Sequence, residues 1–196
     1  PGRHRQQRRG QLDRDPPRGP YPPLGYVPFA EHAFGNGDAY GLYWPVGREG
    51  HEPIVVEMVH DEGRLDPVFG SVEALLAAAE GVDADHALEA PALDADPRSP
   101  LACLRAAKAM AHDDARIDDA IELLERAVLV LPEYGQAQAA LCMQYLRRHR
   151  ARDAARAGLA ALIAPPSFGG GSQAVLHRLR GQGDTGDASI DDDPIW

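Results

Sequence analysis

The C-terminal half of the chain repeats itself with a period of 34 residues. Two alanines seven positions apart, and a proline five positions after the second, occur twice: Ala120, Ala127 and Pro132, then Ala154, Ala161 and Pro166. Small residues at helical spacing let a second helix approach closely, and a proline ends a helix because it cannot donate a backbone hydrogen bond. The period therefore predicts helical hairpins, each covering the apolar face of its neighbour.

This pattern resembles the tetratricopeptide repeat, which pairs two antiparallel helices. In that frame the first repeat spans 101–134 and the second spans 135–168. The inner helices carry Leu104, Ala107, Ala111, Leu141, Cys142 and Tyr145 on one face. The repeats are degenerate, because Gly158 stands where the first repeat has Leu124.

Two such repeats are usually too few to bury their own apolar faces, so we expect a closing element. Residues 172–180 fit a closing helix, with Val175, Leu176 and Leu179 facing inward. The resulting repeat region spans 101–181.

The preceding segment, 26–81, has a period of two, which is typical of strands. Strands are predicted near 39–44, 53–60 and 64–69, and the second is central because it is apolar on both faces. Ser71 is a good N-cap for a helix that Gly81 would end. The predicted fold is α+β: a small antiparallel sheet with one packed helix, followed by helical hairpins.

One predicted strand contains three neighbouring aromatic residues. Tyr40, Leu42 and Trp44 share one face, which predicts that Trp44 is in the core and that Tyr43 is exposed. An exposed aromatic residue among carboxylates suits a contact surface for a basic protein.

The order of elements in this half resembles the SUKH superfamily. The resemblance rests on the segment 26–30, on Gly37 and Asp38 opening an aromatic strand, on the segment 53–56 and on the helix that follows Ser71. It covers the C-terminal part of that domain. The superfamily includes yeast cell-wall-assembly regulators and bacterial immunity proteins. The resemblance implies binding to a toxin domain, often a nuclease, and gives no catalytic residues.

Three remaining segments complete the predicted organisation. Residues 1–25 are an arginine- and proline-rich leader, and residues 182–196 an acidic tail, both predicted to be disordered. Residues 82–100 are predicted to form an acidic linker. Residues 21–97 contain fifteen acidic residues and two arginines, a balance that repels nucleic acid and attracts a basic protein.

Few residues suggest chemistry. The densest group, 57–62, places Glu57 and His60 on opposite faces of a strand, so they cannot easily bind one ion. No nucleophile elbow, zinc-protease or paired-cysteine motif occurs. We therefore predict a protein without enzymatic activity, metal or cofactor.

Two cysteines, Cys103 and Cys142, are too few for a disulfide framework and fit a reducing cytoplasm. No apolar run is long enough to cross a membrane. The first residues lack the charged and then apolar pattern of a secretory leader, so we expect no secretory signal. We expect a cytoplasmic protein that binds neither membrane nor nucleic acid.

The leading hypothesis is an immunity or regulatory module that neutralises a basic protein, such as a toxin. Its predicted contact residues are Glu31, Asp38, Tyr43, Glu52, Glu57, Asp61 and Glu62. The alternative is a scaffold that binds a peptide in the concave face of the repeats, through Gln138, Tyr145, Arg148 and Arg152. The sequence leaves the identity of the partner and the oligomeric state open.

Overall fold

A computed structural model describes residues 22–30, 38–80, 82 and 88–171, excluding the side chains of Ala30 and His60. Several predictions concern other residues. Outside the described residues lie Glu31, Gly81, most of the leader, the predicted closing helix at 172–180 and the predicted acidic tail.

Four strands form one antiparallel sheet in the described part of the chain: β1 (Tyr26–Ala30), β2 (Ala39–Tyr43), β3 (Ile54–Val59) and β4 (Arg64–Phe69). Their order in the sheet follows the chain, so β3 is central as predicted. A 3₁₀ turn at His60–Glu62 follows β3, and Gly63, which has φ of 60°, then leads into β4. The sequence patterns predict β2, β3 and β4, whereas β1 was not predicted.

Helix α1 (Val72–Ala79) follows the sheet and is capped as predicted. The Ala74 amide donates to Ser71 Oγ at 3.1 Å. Leu75 is buried, whereas Leu76, an apolar residue next to it in the sequence, is exposed. The helix therefore covers the sheet with a narrower apolar face than the sequence indicates.

The remaining helices pack as two hairpins: α2 (Pro100–Ala109) with α3 (Ile117–Val130), and α4 (Gly135–Arg147) with α5 (Ala151–Ile163). The four repeated alanines are completely buried: Ala120, Ala127, Ala154 and Ala161. Their small side chains permit the close helix approach that the period predicts. The predicted α+β fold, a sheet followed by helical hairpins, is confirmed.

Other elements cover both faces of the sheet, and this packing joins the sheet to the helices. On one face, Tyr40, Val55 and Phe69 pack with Leu75 of α1. On the other face, side chains of the sheet share one core with α2 to α5: Tyr43, Ile54, Val56 and Leu65. The sheet is therefore a middle layer.

This layering corrects the prediction for Tyr43. Its side chain is 1% exposed and packs edge to face on Phe168, with ring centroids 4.9 Å apart. Its hydroxyl donates to Glu133 Oε1 at 2.6 Å. Trp44 is only half-buried. Alternation along β2 cannot identify an exposed face, because other elements cover both faces of the sheet.

The C-terminal part of the predicted linker is held against β4. The Gly70 amide donates to Asp96 Oδ2 at 2.7 Å, and Ser99 Oγ donates to the Val68 carbonyl at 2.6 Å. Ser99 also caps α2 by accepting from the Ala102 amide at 3.1 Å. Asp96 and Ser99 are both buried, so this stretch positions α2 relative to the sheet.

Candidate functional site

Five carboxylates lie at the end of the sheet where β2 begins and where the hairpin joins β3 to β4. We call this set the acidic end; it consists of Asp38, Glu57, Asp61, Glu62 and Asp66. The pairing of the strands produces it, because Ala39 lies opposite Met58, and Glu57 lies opposite both Tyr40 and Asp66. Residues from three segments of the chain therefore lie at one end of the sheet.

The acidic end combines exposed and half-buried groups. Asp61 and Glu62 are exposed on the turn, whereas Glu57 and Asp66 are half-buried. Burial, followed by the charges of Asp66 and Asp38, raises the pKa of Glu57. Burial is also the main cause of the raised pKa of Asp66, to which Glu62 adds. The surroundings of both carboxyl groups therefore disfavour the ionised form.

Basic residues offset this charge only in part. Arg64 lies 3.2 Å from both Glu62 and Asp66. The charges of Arg64 and of Arg105 on α2 lower the pKa of Glu57 and of Asp66, but the net shift of each remains upward. Arg64 and Arg105 thus offset the charge of the half-buried carboxylates without cancelling its effect.

The structure brings together four of the seven predicted contact residues. Asp38, Glu57, Asp61 and Glu62 form part of the acidic end. Glu52 lies at the other end of β3, where it pairs with Arg98 at 3.3 Å, and Tyr43 is buried. Glu31 lies outside the described residues.

Asp66 is missing from the predicted set although it lies opposite Glu57. The predicted hairpin between the second and third strands contained a usable signal, because antiparallel pairing brings facing residues together.

A second feature is an open groove of about 310 Å³ between α4 and α5. Its lining consists of Gln138, Leu141, Tyr145, Asp153, Arg156, Ala157 and Ala160. The Tyr145 hydroxyl donates to Glu125 Oε1 at 2.6 Å, and the Arg150 guanidinium lies 4.4 Å from the centre of its ring. Two of the four predicted peptide contacts, Gln138 and Tyr145, therefore line one groove.

The predicted arginine contacts do not line this groove. Arg148 forms two hydrogen bonds with Asp118 of α3, at 2.9 and 2.7 Å. Arg147 pairs with Asp114 in the turn before α3. Arg152 is exposed and is not part of the lining. The basic run thus connects α4 to the preceding hairpin, because acidic side chains of that hairpin face it.

The described residues contain no group of three or more histidine, cysteine or acidic side chains that could hold a metal ion. Both cysteines are buried free thiols, as expected of small apolar positions. Burial raises the pKa of Cys142 to about 11 and also raises that of Cys103, which disfavours the reactive thiolate. No helix among these residues has the length and apolar character needed to cross a bilayer.

The N-terminal part of the chain is similar to a known protein family. Residues 12–88 match the family of the YfbP N-terminal domain. This segment includes the sheet, α1 and the whole acidic end. No solved structure matches the chain.

A homologue is the uncharacterized protein YfbP of Escherichia coli strain K12, 38% identical over 178 residues. The alignment covers 90% of this chain and 61% of that protein. An alignment of this length includes most of the helical region as well as the sheet. The chain thus spans about three-fifths of the length of the relative.

Proposed function

We propose that this protein is a non-catalytic binding module whose acidic end recognises a basic surface on another protein. The observation that carries the proposal is that five carboxylates from three segments lie at one end of the sheet, where the charges of Arg64 and Arg105 offset those of Glu57 and Asp66 only in part. Such a surface steers a positively charged partner and increases the rate of encounter. The turn that carries Asp61 and Glu62 offers exposed charge to the partner.

The half-buried carboxylates add selectivity to this attraction. The raised pKa values of Glu57 and Asp66 reflect carboxylates that lack sufficient compensation in the isolated protein. A guanidinium or ammonium group of a partner would supply it, so binding should lower both pKa values. Complex formation should then strengthen as the pH rises through the range in which these groups titrate.

The partner class that we propose is a basic toxin domain, which makes the module an immunity or regulatory protein of SUKH type. The support is the order of elements, in which antiparallel strands lead into a capped helix, together with the charge of the sheet end. We further propose that binding takes place in the cytoplasm, where two free thiols stay reduced.

The test uses the full chain and two variants with the same change in net charge. The site variant is Asp61→Lys with Glu62→Lys. The control is Asp119→Lys with Glu122→Lys on α3, where both side chains are exposed. Each chain is immobilised at low salt and exposed to lysate of the native host, and retained proteins are identified by mass spectrometry. Binding is then remeasured with the purified partner.

We expect one basic protein to be retained by the native chain and by the control, but not by the site variant. Affinity should decrease steeply as salt rises, because exposed charges are screened within about 8 Å at physiological ionic strength. Expression of the partner should arrest growth, and co-expression of the native chain should relieve the arrest. Equal retention by the two variants, or no retained protein, would refute the proposal.

The alternative function, binding of an external peptide by the repeats, has narrower support. Gln138 and Tyr145 line one groove, but Arg148 is paired with Asp118. A truncated chain without residues 1–97 would not separate the two functions, because the sheet and the helices share a core and the deletion would remove part of it. Substitutions at the acidic end separate them, since peptide binding in the groove should survive such changes.

A further inference from the structure

The edge strand β1 exposes two large apolar side chains. Val27 is 51% exposed and Phe29 is 48% exposed. Val27 lies opposite Leu42 of β2, so these two side chains share one face of the sheet, where Leu42 is only partly buried. We call Val27, Phe29 and Leu42 the β1 patch.

The layer that covers this face of the sheet ends before β1. Helix α1 contacts β3 and β4. Over β2, the Tyr40 hydroxyl donates to the Leu88 carbonyl at 3.3 Å, and Leu88 packs on the same apolar cluster as Tyr40. Among the described elements, only β2 makes extensive contact with β1. The face therefore stays open on its β1 side.

The open side adjoins the acidic end. One row of paired positions crosses the four strands there: Ala30, Tyr40, Glu57 and Asp66. Tyr40 is two positions from Leu42 in β2, so Tyr40, and with it Glu57 opposite, shares the face of the sheet that carries Val27. Neighbouring strands are about 4.8 Å apart, so the backbone of Glu57 lies about 10 Å from the end of β1 that carries Phe29.

Pro28 restricts backbone pairing at the outer edge of β1. The Trp44 amide donates to the Gly25 carbonyl at 3.0 Å. Because bonded and non-bonded pairs alternate along antiparallel strands, Pro28, opposite Gly41, falls on a non-bonded pair. Its nitrogen therefore faces outward and has no hydrogen to donate. Such an edge disfavours the addition of another strand, so recognition at β1 depends on side chains.

We infer that the β1 patch is the apolar part of the partner-binding surface, and that the partner presents an apolar side chain flanked by arginine or lysine. The inference rests on the function proposed for the acidic end. Protein interfaces combine an apolar centre with a polar rim, and here the two kinds of surface adjoin. An extended chain advances about 3.3 Å per residue, so a cation three positions from the apolar side chain spans the distance from Phe29 to Glu57. A polycation without an apolar anchor should bind more weakly.

Two synthetic peptides of equal charge test this inference on the full chain. One has a central leucine with a pair of arginines three positions away on each side, and the other has serine in place of the leucine. NMR titration of the backbone amides measures the affinity of each peptide and locates it. We expect the leucine peptide to bind at least about fivefold more tightly, because partial burial of leucine contributes about that factor. It should also shift the amides of Val27 and Phe29 more than the serine peptide does.

A variant of the β1 patch and a matched control complete the test. Val27→Thr with Phe29→Thr removes apolar surface but keeps a residue type that favours strands. It should abolish the fivefold preference and leave the affinity for the serine peptide unchanged. Leu129→Gln, at a side chain of α3 that is 67% exposed, should retain the preference. The amide signals of β2 to β4 report whether the sheet is intact.

The outcomes separate this inference from the function on which it rests. Equal affinity of the native chain for the two peptides, with both weakened by Asp61→Lys and Glu62→Lys, would overturn the inference and leave the proposed function standing. A preference that persists in the β1 variant on an intact sheet would also overturn it. Binding of neither peptide would refute the proposed function and the inference together. If the β1 variant does not fold, the affinities and amide shifts of the native chain decide.

Discussion

Replacing Tyr43 should destabilise the sheet and the helices together. Its ring is 1% exposed and contacts Phe168, and its hydroxyl joins β2 to Glu133 beyond α3. Truncating a large buried aromatic residue to alanine costs about 3–5 kcal/mol, from lost burial and the cavity left behind. We therefore expect Tyr43→Ala to lower the free energy of unfolding by that amount.

Tyr43→Phe separates the hydrogen bond from the packing. A hydrogen bond to a carboxylate contributes about 1.5–3 kcal/mol. The lower end applies here, because the Val46 amide also donates to Glu133 Oε1, at 3.1 Å, and still satisfies this acceptor. We expect a loss of about 1.5 kcal/mol for Tyr43→Phe. Val46→Ala, at an exposed side chain in the same loop, is the control and should change stability by less than about 0.5 kcal/mol.

The assay is urea unfolding followed by two probes. Far-ultraviolet circular dichroism reports mainly on the helices, and Trp44 fluorescence reports on the sheet when Trp196 is replaced by phenylalanine. Since both regions share one core, the two transitions should coincide and move together in each Tyr43 variant. A fluorescence transition that shifts alone would refute the shared core.

Three further perturbations test local features. Ser99→Ala should cost about 1–2 kcal/mol, measured by urea unfolding, because it removes a helix cap and a buried bond to Val68. His149→Gly should increase the free energy of unfolding by about 0.5–1 kcal/mol and so raise the melting temperature, since His149 has φ of 55°. His149→Ala should give no gain, because alanine is strained at the same φ. The raised pKa of Glu57 means that the folded state binds more protons than the unfolded state as this group titrates. Stability is therefore lost as the pH rises from the unfolded pKa through the folded pKa, and in Glu57→Gln unfolding curves should show a smaller loss over that range.

The sequence by itself determined most of the local elements, although not β1, and the pairing of helices within repeats. Ser71 predicted the start of α1, and Gly63 predicted the turn between β3 and β4, because capping and positive φ depend on neighbouring residues. The spacing of Ala120 and Ala154 predicted helix contacts, because the positions recur one period apart. Carboxylates close together in the chain, such as Asp61 and Glu62, were likewise found at one site.

Only the tertiary structure decided which surfaces stay exposed. Tyr43 alternates with apolar neighbours as an exposed residue would, yet the helical region covers its face of the sheet. Arg148 belongs to a basic run, but an acidic side chain of the preceding hairpin neutralises it. Burial and ion pairing depend on segments distant in the chain, and a period in one strand or helix carries no information about them.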